Sequence, residues 1–158
     1  MSFTSGTGTG KNTDYLNATL TNETFYPDIS LGQFHARYRI PAEYEKDAVT
    51  EQLTLAMVEI NKRLQDSKSS WIDEGATDLA TASIEKMNNK SIFVMWYEKA
   101  VYCFAKAKLL KEFETAQTKE TAENAAKSSE KTTAYYLKET DEAVAELIGK
   151  KMFLAELL

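Results

Sequence analysis

An all-α fold, a small helical bundle with two long helices, a shorter helix pair and a flexible N-terminal arm, follows from three observations. Helix breakers are scarce, with two prolines and six glycines in 158 residues and three of those glycines within the first ten. Apolar residues recur three and four apart over long stretches, the spacing of one helix face. Apolar side chains make up 43% of the chain. A chain of this length buries roughly 70% of its unfolded surface and needs no staples to do so.

The elements follow in order. Residues 1–21 are mostly Ser, Thr, Gly and Asn; too little apolar surface is present to offset the entropy of ordering, so they read as the arm. Residues 22–150 form the bundle and 151–158 an apolar tail. In Phe-Tyr-Pro-Asp-Ile, Phe25 to Ile29, Pro27 holds Tyr26 extended. Ser30 followed by Gln33 matches a capping box that opens a helix over Leu31 to Tyr38. Pro41 suits the first turn of the next helix, and Glu43, Glu45 and Asp47 suit its positive end. Val49, Leu53, Ala56, Ile60 and Leu64, with Met57 beside them, form one apolar stripe running to about Gln65. Glu59 and Arg63 add an i, i+4 pair on its flank.

From Asp66 to Asn89 the pattern weakens. Ser-Lys-Ser-Ser-Trp reads as a loop, Trp71 and Ile72 as plugs in the core, Gly75 as a turn and Ala80 to Met87 as a short helical turn. The central helix, Ser91 to Thr115, carries Phe93, Trp96, Ala100, Val101, Phe104, Ala107 and Leu110 on nearly every side, so it is buried on most faces. The last helix, Lys119 to Ile148, has a seam of Ala122, Ala126, Ser129, Thr133, Tyr136, Thr140, Ala143 and Leu147. Its length of about 45 Å predicts that it projects from the body or packs on a neighbour. Gly149 fits the residue after its C-terminus, and Lys150 and Lys151 its negative end.

Chemistry is thinly provided. One histidine and one cysteine rule out zinc sites built from several such residues and an intrachain disulfide. Nineteen basic against 24 acidic residues, a net charge of -5, argue against general duplex binding. No apolar run nears the ~20 residues of a membrane span. No positive-then-apolar start marks a secretory signal, and the chain reads as cytosolic. Gly-Thr-Gly-Thr-Gly-Lys-Asn lacks two requirements of a phosphate loop, with Ser5 where glycine is needed and Asn12 after Lys11. Cys103 reads as a small apolar residue on a buried helix. No catalytic set, cofactor or metal site is expected.

Two features point to contacts instead. His35, Arg37 and Arg39 form a local basic cluster in an acidic chain, a candidate contact for an anion or an acidic partner. Met152, Phe153, Leu154, Leu157 and Leu158 follow the helix-ending glycine. They either fold back on the bundle or insert into a neighbouring subunit or other partner, since contiguous exposed apolar groups mark contacts.

Three blocks occur in order: Phe-Tyr-Pro-Asp-Ile at 25–29, Tyr-Glu-Lys-Ala-Val-Tyr-Cys-Phe-Ala-Lys-Ala-Lys-Leu-Leu at 97–110, and Glu-Ala-Val-Ala-Glu-Leu-Ile-Gly-Lys at 142–150. In that order and spacing the chain resembles the GpL-type head completion (stabilisation) proteins of temperate, contractile-tailed bacteriophages, over roughly Phe25 to Lys150. The resemblance implies a structural virion protein, not an enzyme. It acts at the portal vertex after DNA packaging, retains the genome and forms part of the head–tail connector. The partners it implies are the portal protein ring, neighbouring copies in a homo-oligomeric ring and a downstream head–tail joining protein. Packaged DNA passes through without specific binding, as the acidic charge favours. Phe25, Tyr26 and Pro27 would anchor the start of the bundle, and Tyr97, Ala100, Val101 and Leu109 its central helix. Read without the resemblance, the residues also fit a cytosolic helical adaptor for one protein partner, or a DNA-packaging subunit.

Overall fold

The computed structural model describes residues 14–114 and 119–149. Five helices carry the fold: α1 Leu31–Tyr38, α2 Lys46–Arg63, α3 Gln65–Asp73, α4 Ile92–Glu114 and α5 Lys119–Ile148. Two antiparallel strand pairs are two residues long each, β1 Thr19–Leu20 with β2 Ile29–Ser30 and β3 Lys86–Met87 with β4 Lys90–Ser91. Single turns of 3-10 helix occupy Asp14–Asn17 and Leu79–Thr81.

The apolar stripe of α2 is the part that periodicity read best. Val49, Leu53, Ala56, Ile60 and Leu64 are all fully buried and Met57 nearly so. They face α4, where Tyr97, Ala100, Val101, Tyr102, Ala105, Ala107 and Leu109 are buried in turn. Burial all round one helix is what its low amphipathicity requires. On α5, Thr140, Ala143 and Leu147 are buried, while Tyr136 and Thr133 sit half-buried at the rim. Tyr38 meets both Cys103 and Tyr136, and Lys99 pairs with Glu139 at 2.7 Å, so α4 and α5 run antiparallel. The last helix therefore packs along α4. The side chains of Ala122, Ala126 and Ser129 lie outside the described residues.

Several expectations need correction. The second long helix starts at Lys46, not at Pro41. Pro41 opens a turn whose carbonyl accepts the Tyr44 N–H, and Glu45 is the N-cap without a side-chain bond. The Ser-Lys-Ser-Ser-Trp stretch is helical, part of α3, which follows α2 after Leu64. Trp71 does plug the core, stacked on Phe25 with ring centroids 6.3 Å apart and against Phe93 at 5.3 Å. Ile72 instead faces solvent, 47% exposed. Residues 80–87 do not form one helical turn. A 3-10 turn is followed by the β3–β4 hairpin, whose two-residue loop places Asn88 and Asn89 at positive φ.

Ser30 caps α1 by accepting the Gln33 N–H at 3.2 Å, but Gln33 does not return the bond. Its side chain accepts from Arg37. The reciprocal capping box lies elsewhere, between Asp78 and Thr81. Gly75 and Gly149 both adopt positive φ at helix ends.

The segment from Asp14 to Leu20, assigned by composition to the arm, lies on the body. Tyr15, Ala18 and Leu20 pack against the core, and β1 pairs with β2. The approach is so close at Gly32 that a Cβ there would sit 2.6 Å from the Leu16 carbonyl oxygen. Residues 1–13 lie outside the described residues.

Candidate functional site

Tyr97 joins three separate stretches of chain. Its hydroxyl donates to Asn61 Oδ1 on α2 and accepts from Asn22 Nδ2 at 2.8 Å. Asn61 Nδ2 closes the circuit by donating to Asn22 Oδ1 at 3.0 Å. Asn22 Nδ2 also donates to the Pro27 carbonyl, and Asp28 accepts the Asn22 N–H. The Tyr97 ring stacks on Tyr26, with centroids 4.9 Å apart and planes 9° from parallel. The first two sequence blocks thus meet face to face. Burial raises both phenol pKa values well above the usual range, so both stay protonated. The Tyr26 hydroxyl is buried with no hydrogen-bond partner among the described residues.

Beside this circuit runs a cleft of about 470 Å³ between the β1–β2 connection and α2, lined by Asn22, Glu23, Met57, Asn61, Lys62 and Lys68. Lys68 pairs with Glu23 and lies 5.6 Å from the Phe25 ring centre. Nothing in the cleft converges as acid, base and nucleophile must. Among the described residues no group of three His, Cys, Asp or Glu side chains could hold a metal ion. No described helix is long and apolar enough to cross a membrane.

The basic cluster is divided between different partners. His35 Nε2 lies 3.1 Å from the Tyr15 hydroxyl, with the two rings edge to face. Arg37 reaches Gln33, Glu98 at 3.7 Å and the Tyr102 ring. Arg39 ends α1 in the left-handed conformation, φ 50°, and its carbonyl accepts from the buried Lys106. Internal contacts thus engage His35 and Arg37, and the structure does not gather the three into one pocket.

Burial lowers the His35 pKa below 6.5, although a hydrogen bond to the Ile40 backbone acts in the opposite direction. The unfolded imidazole then takes up its proton at higher pH than the folded one. The corresponding stability is present above about pH 6.5 and lost as pH falls toward the folded value. NMR titration of this sole imidazole should give a midpoint below 6.5. A midpoint at or above 6.5 in the parent protein would contradict that placement.

Cys103 is buried, 3.9 Å from the Tyr38 hydroxyl, and burial pushes its thiol up to about 11. It is held as a neutral thiol, the opposite of what a nucleophile needs.

At the other end of α4 lies a second concavity, about 240 Å³, with Tyr44, Ala48, Leu109 and Phe113 as its floor. Glu43, Glu45 and Glu112 stand around it. Tyr44 and Phe113 touch at 4.9 Å between ring centres, and Phe113 remains 39% exposed. Sequence reading singled out neither this groove nor the asparagine pair. The tail residues Met152, Phe153, Leu154, Leu157 and Leu158 lie outside the described residues.

Comparison with known proteins bears on the whole of this body. No solved structure matches the chain. The probable head completion/stabilization protein of Haemophilus phage HP1 (strain HP1c1) is 29% identical over 142 residues, covering 90% of this chain and 93% of that one. The head completion/stabilization protein of Escherichia phage P2 is 27% identical over 131 residues, covering 83% and 78% respectively. The family description of the phage head completion protein (GPL) matches residues 20–158. That span includes the tail, which the three sequence blocks had left outside the resemblance. With the match running from β1 through α5 and beyond, the chain belongs to the phage head completion protein family, GPL.

Proposed function

We propose that this structural head protein assembles at the portal vertex after DNA packaging, retains the genome and forms part of the head–tail connector. The observation that carries the reading is the match over residues 20–158 to proteins named for completing and stabilising the head. A filled head needs completion where DNA entered it. The partners in this reading are the portal ring, neighbouring copies of the chain and the head–tail joining protein that follows. The protein acts by occupying a position rather than by turning over a substrate. A buried neutral thiol and a histidine engaged by Tyr15 suit that role.

The net charge of -5 supports passage of DNA without grip, because a surface that neutralises few phosphates releases few counterions on contact. Purified protein mixed with isolated portal rings should co-sediment with them and show weak duplex binding at physiological salt. Free sedimentation of the two proteins would remove the portal reading. Tight, salt-sensitive duplex binding would favour a packaging subunit instead.

A further inference from the structure

We propose that the groove floored by Tyr44, Ala48, Leu109 and Phe113 receives residues 150–158 of a second copy of this chain. The proposal deepens the connector reading above by naming both sides of the contact between copies, and it rests on that reading only for its setting.

Charge and polarity match along the two partners. The segment 150–158 is Lys-Lys-Met-Phe-Leu-Ala-Glu-Leu-Leu, two cations followed by a run of large apolar side chains. The groove has an apolar floor with Glu43, Glu45 and Glu112 at its edge. Docking places Phe153 and Leu154 on Tyr44 and Phe113 and brings Lys150 and Lys151 toward the glutamates. A cavity of about 240 Å³ is far larger than the ~30 Å³ share of one water, so it accommodates large side chains. Residues 1–13 offer only two large apolar side chains, Met1 and Phe3, and match the floor less well.

Reach decides which copy supplies the segment. Lys99 lies opposite Glu139 across the antiparallel pair. From there Gly149 is ten residues along in one direction and Phe113 fourteen in the other. At ~1.5 Å per helical residue the two ends are about 36 Å apart. Phe153, four residues past Gly149, extends at most ~14 Å from it, and even Leu158 only about 30 Å. Phe153 and Leu154 therefore cannot reach the groove of their own chain. Tail at one end and groove at the other make a head-to-tail contact, the kind that generates a ring when its rotation closes.

Sedimentation velocity of full-length protein at high micromolar concentration tests this. The parent should assemble, and the tail variant Phe153→Asp/Leu154→Asp should sediment as the 17.8 kDa monomer. The groove variant Phe113→Asp should do the same. Mixed, these two variants should form a 1:1 complex and stop there, because one intact tail meets one intact groove. Circular dichroism checks each fold. If Phe113→Asp does not fold, the exposed pair Glu43→Lys/Glu45→Lys replaces it, and Lys150→Glu/Lys151→Glu should restore its assembly in the mixture. A monomeric parent, single variants that assemble like the parent, or a mixture that stays monomeric overturns the proposal. So does loss of assembly on deleting residues 2–13 while the tail variant still assembles. Variants that fail to self-assemble yet bind portal rings keep the connector reading and confine the loss of assembly to the tail–groove contact. Self-assembly as expected with no portal binding removes the connector reading alone.

Discussion

Replacing Tyr97 with alanine is expected to destabilise the protein by about 3–5 kcal/mol, the cost of deleting a large buried aromatic side chain. For a chain of this size that lowers the melting temperature by about 10 °C or more. Three losses combine. The ring leaves its stack on Tyr26, the hydroxyl leaves Asn61 and Asn22, and the cavity opens beside fully buried side chains. Tyr97→Phe separates these contributions. It keeps the stack and removes only the hydroxyl, at about 1–3 kcal/mol, because two asparagine side chains lose a common partner. Thermal melts followed by far-ultraviolet circular dichroism provide both numbers. An alanine variant within 1 kcal/mol of the parent would show that the circuit does not join the blocks as described.

Leu147→Asp is expected to have the second-largest effect. Leu147 is 2% exposed in the seam between α4 and α5, with Ala143 and Thr140 buried beside it. Burying a carboxylate among these apolar side chains costs several kcal/mol. Because this stretch ends the described helix, the response is fraying of the α5 end rather than global unfolding. Hydrogen exchange should show protection of the Ala143–Ile148 amides falling by about two orders of magnitude, with α2 unaffected. Unchanged protection would mean that the end of α5 is not held by the seam. The same variant should weaken assembly, because the frayed end no longer presents residues 150–158 from a fixed position.

The fold was legible where burial follows a period. Val49 through Leu64 and Thr140 through Leu147 announce their faces by spacing alone, and α4 announces its burial by being apolar on every side. Where one side chain anchors an element, spacing has nothing to repeat. Trp71 is the only buried residue of α3, and its stack on Phe25 and its contact with Phe93 hold a stretch of otherwise indifferent composition. The strands are two residues long, shorter than any alternation can show. Asn88-Asn89 was the readable cue for the second hairpin, since asparagine tolerates positive φ. The late start of α2 was hidden because Pro41 fits a turn as well as a helix start. Tyr44 then turns aside onto Phe113.

The candidate sites were less legible than the fold. Asn22 and Asn61 are unremarkable polar residues until Tyr97 brings them together across 39 residues of sequence. The Tyr44–Phe113 groove likewise joins segments far apart in the chain. His35, Arg37 and Arg39 looked like a cluster because they are close in sequence. Two of the three instead have separate partners within the fold.

In the proposed function, this head completion protein seals the opening through which DNA entered the head. Filled heads made without it, incubated with the purified protein and then treated with DNase, measure that directly. The account predicts that the packaged genome becomes nuclease-resistant and the heads become competent to join tails. Filled heads that keep their DNA equally well without the protein, or lose it equally with the protein present, would contradict it.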